Sequence, residues 1–176
     1  MPRVAVFSLT YPPFIGGAEV AVDRIARELR AGHEFTVFTA RLRRDNLRRQ
    51  QLPSSGVVVV RLGLGWQLDK YLYPWLAVRA AVLEHQRLPF DVIWGMMASW
   101  GGWAALKFKE RSRLPYVISE QSGDSDQFIA RRTWFWRGRY RQIYTRANRV
   151  TAISQFLVQR AERFGARNVK LVPNGA

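Results

Sequence analysis

The sequence predicts an α/β fold, a doubly wound, Rossmann-like domain whose mostly parallel sheet of about seven strands has helices on both faces. Short runs rich in β-branched residues alternate along the chain with segments of helical periodicity. The runs are continuously apolar, which is typical of parallel strands that are buried on both sides. Because 176 residues with 48% hydrophobic content suit one core, we expect residues 1–176 to form one domain.

The predicted elements follow one another in order. The predicted strands are residues 4–7, 35–39, 57–62, 91–94, 115–119, 150–153 and 169–172. The predicted helices are residues 20–29, 69–86, 101–109, a basic aromatic helix over 128–147, and 154–164. We place Asp69 and Ser154 as N-caps, since their side-chain oxygens can accept the free amides of a first turn. Residues 41–55 are expected to be a polar, basic excursion. The apolar side of the first helix is expected to consist of Val20, Ala21, Ile25, Ala26 and Leu29.

Composition excludes several classes of function. The absence of cysteine excludes disulfides, thiolate metal sites and a cysteine nucleophile. No apolar run approaches the ~20 residues of a membrane span, and the apolar start is too short for a signal peptide, so we expect a cytoplasmic protein. The net charge of +15, with 28 basic against 13 acidic residues, favours polyanionic surroundings: nucleic acid, anionic lipid or phosphorylated substrates.

A glycine loop behind the first strand is the strongest candidate for a ligand site. Pro12 and Pro13 stiffen it, and Gly16 and Gly17 let backbone approach a ligand without an intervening Cβ. A glycine pair at a helix N-terminus offers amides and the positive end of the helix dipole to a phosphate. Glu19 follows in the first turn, where a carboxylate also favours the dipole.

Five motifs in order carry a resemblance to a known family. They are PPFIGGAE at 12–19, GHEFTV at 32–37, LPYVISEQSGD at 114–124, RANRVTAISQFL at 146–157 and VKLVPNG at 169–175. This series resembles GT-B-fold retaining glycosyltransferases of the family 4 type. The resemblance implies two Rossmann-like domains, of which the N-terminal one mainly binds the acceptor and the C-terminal one holds the nucleotide sugar. In that family Pro-Asn-Gly lies at the crossing between the domains. The chain stops at Ala176, so the donor-binding domain is expected to be absent from it.

The resemblance also implies roles for individual residues. Gly16 and Gly17 would face the donor diphosphate or nearby acceptor groups, with Glu19 as the acid of that loop. Gln121 occupies the position of a family histidine, and glutamine can bind a sugar hydroxyl but cannot carry a proton. The acceptor cleft is expected to include Trp100, Gly101, Gly102, Ser122, Asp124 and Ser154, and the domain junction Asn174 and Gly175. Trp100 would either stack on a sugar or lipid portion or pack between helix and sheet.

No cofactor and no metal are expected, with the nucleotide sugar entering as substrate. Asp124 and Asp126 form an Asp-x-Asp pair, but they open a predicted helix, where carboxylates serve as N-caps. His33 ends the first helix and His85 lies at the end of another, so both are expected to be structural.

Residues 128–149 indicate contact with an anionic membrane surface. Seven arginines alternate there with aromatic residues, a mixture that suits the bilayer interface, although some of the rings must also pack on the sheet. The expected membrane patch consists of Arg131, Arg132, Trp134, Trp136, Arg137, Arg139 and Arg141. We therefore expect a peripheral protein on the cytosolic face of the membrane.

The combined interpretation is the acceptor-binding half of a retaining glycosyltransferase, inactive by itself, whose acceptor is lipid- or glycan-linked. The alternative is a non-catalytic membrane- or acceptor-binding subunit of a split glycosyltransferase. A nucleic-acid-binding protein is disfavoured, because the sequence has no helix-turn-helix, zinc or RNP signature.

Overall fold

In the computed structural model, which describes residues 1–134 and 136–174, eight strands and six helices follow one another along the described chain. The strands are β1 (Arg3–Phe7), β2 (Glu34–Ala40), β3 (Arg49–Gln51), β4 (Val58–Leu62), β5 (Val92–Met96), β6 (Tyr116–Glu120), β7 (Arg149–Ala152) and β8 (Val169–Leu171). The helices are α1 (Gly17–Leu29), α2 (Asp69–Arg87), α3 (Trp100–Ser112), α4 (Asp126–Thr133), α5 (Arg137–Thr145) and α6 (Gln155–Arg163).

All eight strands form one sheet in the order β3-β4-β2-β1-β5-β6-β7-β8. Every neighbouring pair is parallel except β3 and β4. The chain runs from β1 outward to β2 on one side and later returns to place β5 on the other side. The strand order therefore reverses at β1, and in such sheets ligands bind at the carboxyl ends of the strands beside this switch point.

The two faces of the sheet carry separate cores. On one face, strand residues such as Phe7, Ile93 and Ile118 pack against the buried sides of α2, α3 and α5. On the other face, the buried helical residues come from α1, where Val22 and Ala26 pack on the strands. The predicted doubly wound α/β class is confirmed, with most of the described helices on one face.

The strand β3 lies inside the segment that was predicted to be a polar excursion. Its residues pair antiparallel with β4, and Arg49 forms an ion pair with Glu84 of α2 with an N–O distance of 3.0 Å. A three-residue, polar strand at a sheet edge has no hydrophobic alternation, so the sequence pattern did not reveal it.

The predicted basic aromatic helix is wrong as a single element, because two helices, α4 and α5, occupy its place. Ser125 begins α4 as its N-cap, accepting the amide of Phe128 at 3.3 Å, so neither aspartate of the Asp-x-Asp pair has that role. Trp136 is the N-cap residue of α5, and its ring packs on Trp100 and Trp103 of α3. These ring contacts hold the start of α5 against α3.

The apolar side of α1 coincides only in part with the side that packs on the sheet. Val20, Ile25 and Leu29 are exposed, and the helix buries Ala18, Glu19, Val22 and Ala26 instead. Alanines at i and i+8 allow a close approach to the sheet, and Glu19 turns inward to accept a hydrogen bond from Thr10.

Two N-cap assignments have opposite outcomes. Ser154 caps α6 as predicted, accepting the Leu157 amide at 3.3 Å. Asp69 is instead the first residue of α2, behind Leu68 as the N-cap. Its carboxylate accepts the amides of Gly65 and Trp66 at 2.7 and 3.0 Å, so it closes the loop before the helix.

Candidate acceptor site at the carboxyl edge of the sheet

A cavity of about 200 Å³ lies where the carboxyl ends of β1, β5 and β6 meet. The loop after β1 contributes Leu9 and Thr10 to its wall. The loop after β5 contributes residues 97–99, and α4 and α5 close the far side. Met97 adopts a φ of 59°, in the left-handed region that non-glycine residues rarely enter. This backbone strain lies in the cavity wall, at the place where doubly wound sheets bind their ligands.

Glu120 is the buried acid of this cavity. It is the last residue of β6, is 2% exposed, and accepts the backbone amide of Ala98. Burial raises the pKa of its carboxyl to about 7, while the Ala98 amide and the Tyr144 hydroxyl act in the opposite direction. A carboxyl with this pKa can either accept or donate a hydrogen bond to a ligand hydroxyl near neutral pH.

Arg160 of α6 holds the loop that carries Asp124 against the cavity. Its side chain is fully buried, with Nε 2.8 Å from Oδ1 of Asp126 and one terminal nitrogen on the carbonyl oxygen of Asp124. The other terminal nitrogen, Nη1, has no hydrogen-bond partner among the described residues. Arg160 and Asp126 thus fix the start of α4, and with it the position of Asp124 in the cavity wall.

Stacked tryptophans form the apolar wall. The rings of Trp100 and Trp136 both line the cavity, with centroids 6.1 Å apart and planes 12° from parallel. Trp103 stacks on both of them at 5.5 and 5.3 Å, and Tyr140 meets Trp136 edge-on. For Trp100, ring packing on neighbouring helices and exposure to the cavity therefore occur together. Flat apolar rings beside hydrogen-bonding groups are a general means of binding a polar ligand that has apolar faces.

The glycine loop contacts the wall of this cavity through a hydrogen bond between Glu19 and Thr10. The Glu19 carboxylate is buried and accepts a hydrogen bond from the hydroxyl of Thr10, which lines the cavity. A Cβ at Gly16 would lie 2.5 Å from Oε2 of Glu19, so the first glycine makes room for this acid. Gly17 lines a second cavity of about 470 Å³, which lies between α1 and residues 172–174. The first turn of α1 therefore lines the second cavity and contacts the wall of the first through Thr10.

The other predicted site residues occupy different places. Trp100, Ser122 and Asp124 line the first cavity together. Gly101 and Gly102 lie beneath it, where an added Cβ would be 2.7 Å from the Met96 carbonyl oxygen and 2.6 Å from that of Met97. They allow α3 to approach the strand ends closely. Ser154 caps α6 and is outside the cavity lining.

The position of the family histidine lies at the same edge of the sheet. Gln121 is half-buried, and its side-chain oxygen accepts a hydrogen bond from the amide of Asn174 at 3.5 Å. This contact brings the expected domain junction next to the expected reaction centre. Gly175 lies outside the described residues.

Sequence reasoning missed Glu120, Thr10 and Tyr140, all of which line the cavity. The one available signal was a glutamate directly after a predicted buried strand, at a carboxyl end.

His85, expected to be structural, accepts the Phe90 amide at 2.9 Å through Nδ1 and stacks on that ring.

The expected membrane patch is divided by the fold. Trp134 is 76% exposed, whereas Trp136 is half-buried in the aromatic stack. Arg139 and Arg146 both approach Glu110 of α3, at 3.4 and 3.7 Å. The other basic members that the structure describes, Arg131, Arg137 and Arg141, are exposed, and the side chain of Arg132 lies outside the described part.

Within residues 1–134 and 136–174, no helix has the length and apolar character needed to cross a membrane. In the same part of the chain, no group of three or more histidines and carboxylates is placed to hold a metal ion. Asp126 of the Asp-x-Asp pair instead forms ion pairs with Arg160 and Arg163.

Comparison with known protein families gives the family of this chain. The model of the "Glycosyl transferase 4-like domain" matches residues 16–175. The chain belongs to this family. A search of curated proteins finds no significant match.

Solved structures show the same fold. The chain aligns over its full length with a sucrose-phosphate synthase from Thermosynechococcus elongatus, with a TM-score of 0.80 and 16% identity, covering 49% of that protein. It also aligns over its full length with HepE from Anabaena in complex with UDP and glucose, with a TM-score of 0.69 and 18% identity, covering 45% of that chain. This glycosyltransferase-like domain is thus a GT-B-type, Rossmann-like domain that spans about half the length of these two structures.

Proposed function

We propose that this domain is the acceptor-binding half of a retaining glycosyltransferase, which transfers a sugar from a nucleotide-sugar donor to a hydroxyl of a lipid- or glycan-linked acceptor. The observation that carries the proposal is the pairing of the stacked rings of Trp100 and Trp136 with the buried carboxyl of Glu120 in one cavity. The C–H face of a sugar ring packs on an aromatic face, and a carboxyl group accepts or donates a hydrogen bond to a hydroxyl.

In this proposal Glu120 orients the acceptor. Gln121, at the position of the family histidine, has no titratable proton, whereas the adjacent Glu120 lines the cavity and titrates near neutral pH. Thr10, Ser99 and Ser122 add hydroxyl groups around the same space. A ligand rich in hydroxyls would satisfy these groups better than an apolar ligand of the same size.

The donor is assigned to a second Rossmann-like half, outside residues 1–176. The solved structure of HepE is described with UDP and glucose, and the chain aligns with less than half of that protein. Gly16 and Gly17 at the start of α1 would offer amides to a donor phosphate across the interface between the halves. Neither a metal nor a cofactor has a role in this scheme. We place the protein peripherally on an anionic membrane, at its cytosolic face.

Saturation-transfer NMR on the 176-residue chain tests acceptor binding. The probes are methyl glycosides of common hexoses, with UDP-glucose and GDP-mannose as donor probes. At least one glycoside should receive magnetisation, and Trp100→Ala should abolish the signal while Trp134→Ala, outside the cavity lining, should leave it unchanged. Glycoside signals that survive Trp100→Ala, or nucleotide-sugar binding at low micromolar affinity, would refute this assignment.

Turnover is the second test. Incubated with radiolabelled nucleotide sugars and lipid or saccharide acceptors, the purified chain should transfer no sugar above a blank. Transfer by these residues alone would show that the chain contains the donor site.

A further inference from the structure

An exposed apolar stripe follows the first two turns of α2. Leu68, Tyr71, Leu72 and Trp75 recur at the spacing of one helical face, and each is about half exposed or more. In the loop before the helix, Leu64 and Trp66 are 66% and 52% exposed. We call these six residues the aromatic rim. Six large apolar side chains within twelve residues form a larger exposed cluster than the scattered apolar residues of an ordinary surface.

The aromatic rim carries cations and no exposed carboxylate. The guanidinium of Arg44 lies 5.0 Å from the ring centroid of Trp66, and Nζ of Lys70 lies 5.0 Å from that of Tyr71. Nζ of Lys107 lies 5.8 Å from the rings of both Trp75 and Trp103. Asp69, the one acid between residues 64 and 75, is buried and accepts loop amides. Tryptophan and tyrosine beside lysine and arginine match the head-group layer of an anionic bilayer in both polarity and charge.

The aromatic rim continues into the wall of the acceptor cavity. Tyr71 meets Trp100 edge-on at 5.8 Å, and Trp75 meets Trp103 edge-on at 5.2 Å. Trp100 also lines the cavity, where it stacks on Trp136. If the aromatic rim inserts into the head-group layer of a membrane, the cavity will therefore lie next to the polar parts of membrane lipids.

We propose that the aromatic rim docks the domain on an anionic lipid bilayer, so that the cavity takes its acceptor as the head group of a membrane lipid. The proposal rests on the acceptor-binding function for its second part only. It assigns the docking surface to residues 64–75, which are separate in sequence from the arginine-rich segment 128–149.

Vesicle co-flotation of the 176-residue chain tests the docking surface. The vesicles contain either phosphatidylcholine alone or equal parts of phosphatidylcholine and phosphatidylglycerol. The triple variant Leu64→Ser, Leu68→Ser, Leu72→Ser should lower the partition coefficient on the mixed vesicles by at least about tenfold, because binding scales with the apolar area inserted. The matched control Leu29→Ser, Leu83→Ser, Leu88→Ser removes three other exposed leucines near the ends of α1 and α2. It should bind like the parent.

Two charge variants test the choice of cations. Changing Arg44, Lys70 and Lys107 to Gln should weaken binding to the mixed vesicles by about fivefold per cation and change little on phosphatidylcholine alone. Changing Arg137, Arg139 and Arg141 to Gln should have a much smaller effect. Circular dichroism and thermal unfolding of every variant verify that the fold is retained.

The outcomes separate the two proposals. Loss of binding in the Arg137, Arg139 and Arg141 variant, with retention in the rim variants, would overturn the assignment of the rim. No binding of the parent to mixed vesicles would overturn membrane docking altogether, and with it the peripheral location proposed above. Neither result affects the glycoside NMR experiment, which tests the acceptor cavity in the absence of lipid.

Discussion

Glu120→Gln should remove a pH dependence of stability that the burial of this carboxyl creates. Glutamine has nearly the same shape and keeps an oxygen that can accept the amide of Ala98. The substitution therefore removes the titratable proton and the charge with little change in packing. Glu162, on the exposed side of α6, offers a matched control as Glu162→Gln.

The magnitude follows from the pKa of Glu120, which burial raises from 4.5 to about 7. Between these values the folded protein binds a proton at Glu120 that the unfolded chain does not, so the free energy of unfolding decreases as the pH rises. The decrease is about 1.4 kcal/mol per pH unit, or roughly 3 kcal/mol across the whole interval. Below about pH 4.5 both states are protonated and the contribution is fully present; above about pH 7 it is lost.

Urea unfolding at a series of pH values, followed by tryptophan fluorescence, measures the effect. At about pH 8 the Glu120→Gln variant should be more stable than the parent by up to roughly 3 kcal/mol, and the difference should shrink towards about pH 4.5. Glu162→Gln should run parallel to the parent throughout. A constant difference between parent and Glu120→Gln across this interval would refute the reasoning, because it would mean that Glu120 titrates alike in both states.

Three further predictions concern stability. Gly102→Ala should lower the free energy of unfolding by about 2 kcal/mol, because its Cβ would lie 2.6 Å from a carbonyl oxygen. Gly17→Ala, whose Cβ would have nothing within 4 Å, should be nearly neutral in thermal unfolding. Equal losses of stability in the two variants would contradict this. Asp126→Ala should cost about 2 kcal/mol by leaving the buried Arg160 without its carboxylate. Asp45→Ala, which breaks an exposed pair with Arg43, should not change the urea midpoint, and similar effects of the two substitutions would argue against a special role of burial. Ser154→Ala should lower the free energy of unfolding by about 1 kcal/mol through the lost N-cap, and an aspartate at the same position (Ser154→Asp) should retain most of that stability. If calorimetry shows no loss for Ser154→Ala, the N-cap does not contribute to stability.

Local pattern was sufficient for the class of the fold and for the family. Continuously apolar runs such as residues 4–7 and 116–118 identify buried parallel strands, since this signal requires only neighbouring residues. The motifs from residue 12 to residue 175 indicated the family, which the match over residues 16–175 confirmed. The rule that ligands gather at carboxyl ends grouped Trp100, Ser122 and Asp124, and these three residues line one cavity; their role in an acceptor cleft stays a prediction.

What the sequence by itself determined about this protein is therefore its family, the alternation of strands and helices apart from the edge strand β3 and the division between α4 and α5, and the edge of the sheet at which a ligand site is predicted. Only the tertiary structure decided which side chains are buried there. Glu120 acquires its raised pKa because it is buried among the loop after β5, α5 and α6. Trp136 joins the aromatic stack because α3 lies opposite. The apolar residues of α1 and α2 illustrate the same limit. Helical periodicity marks an apolar side, but contact with the sheet decides whether that side is buried or, as at Val20 and Trp75, faces outward.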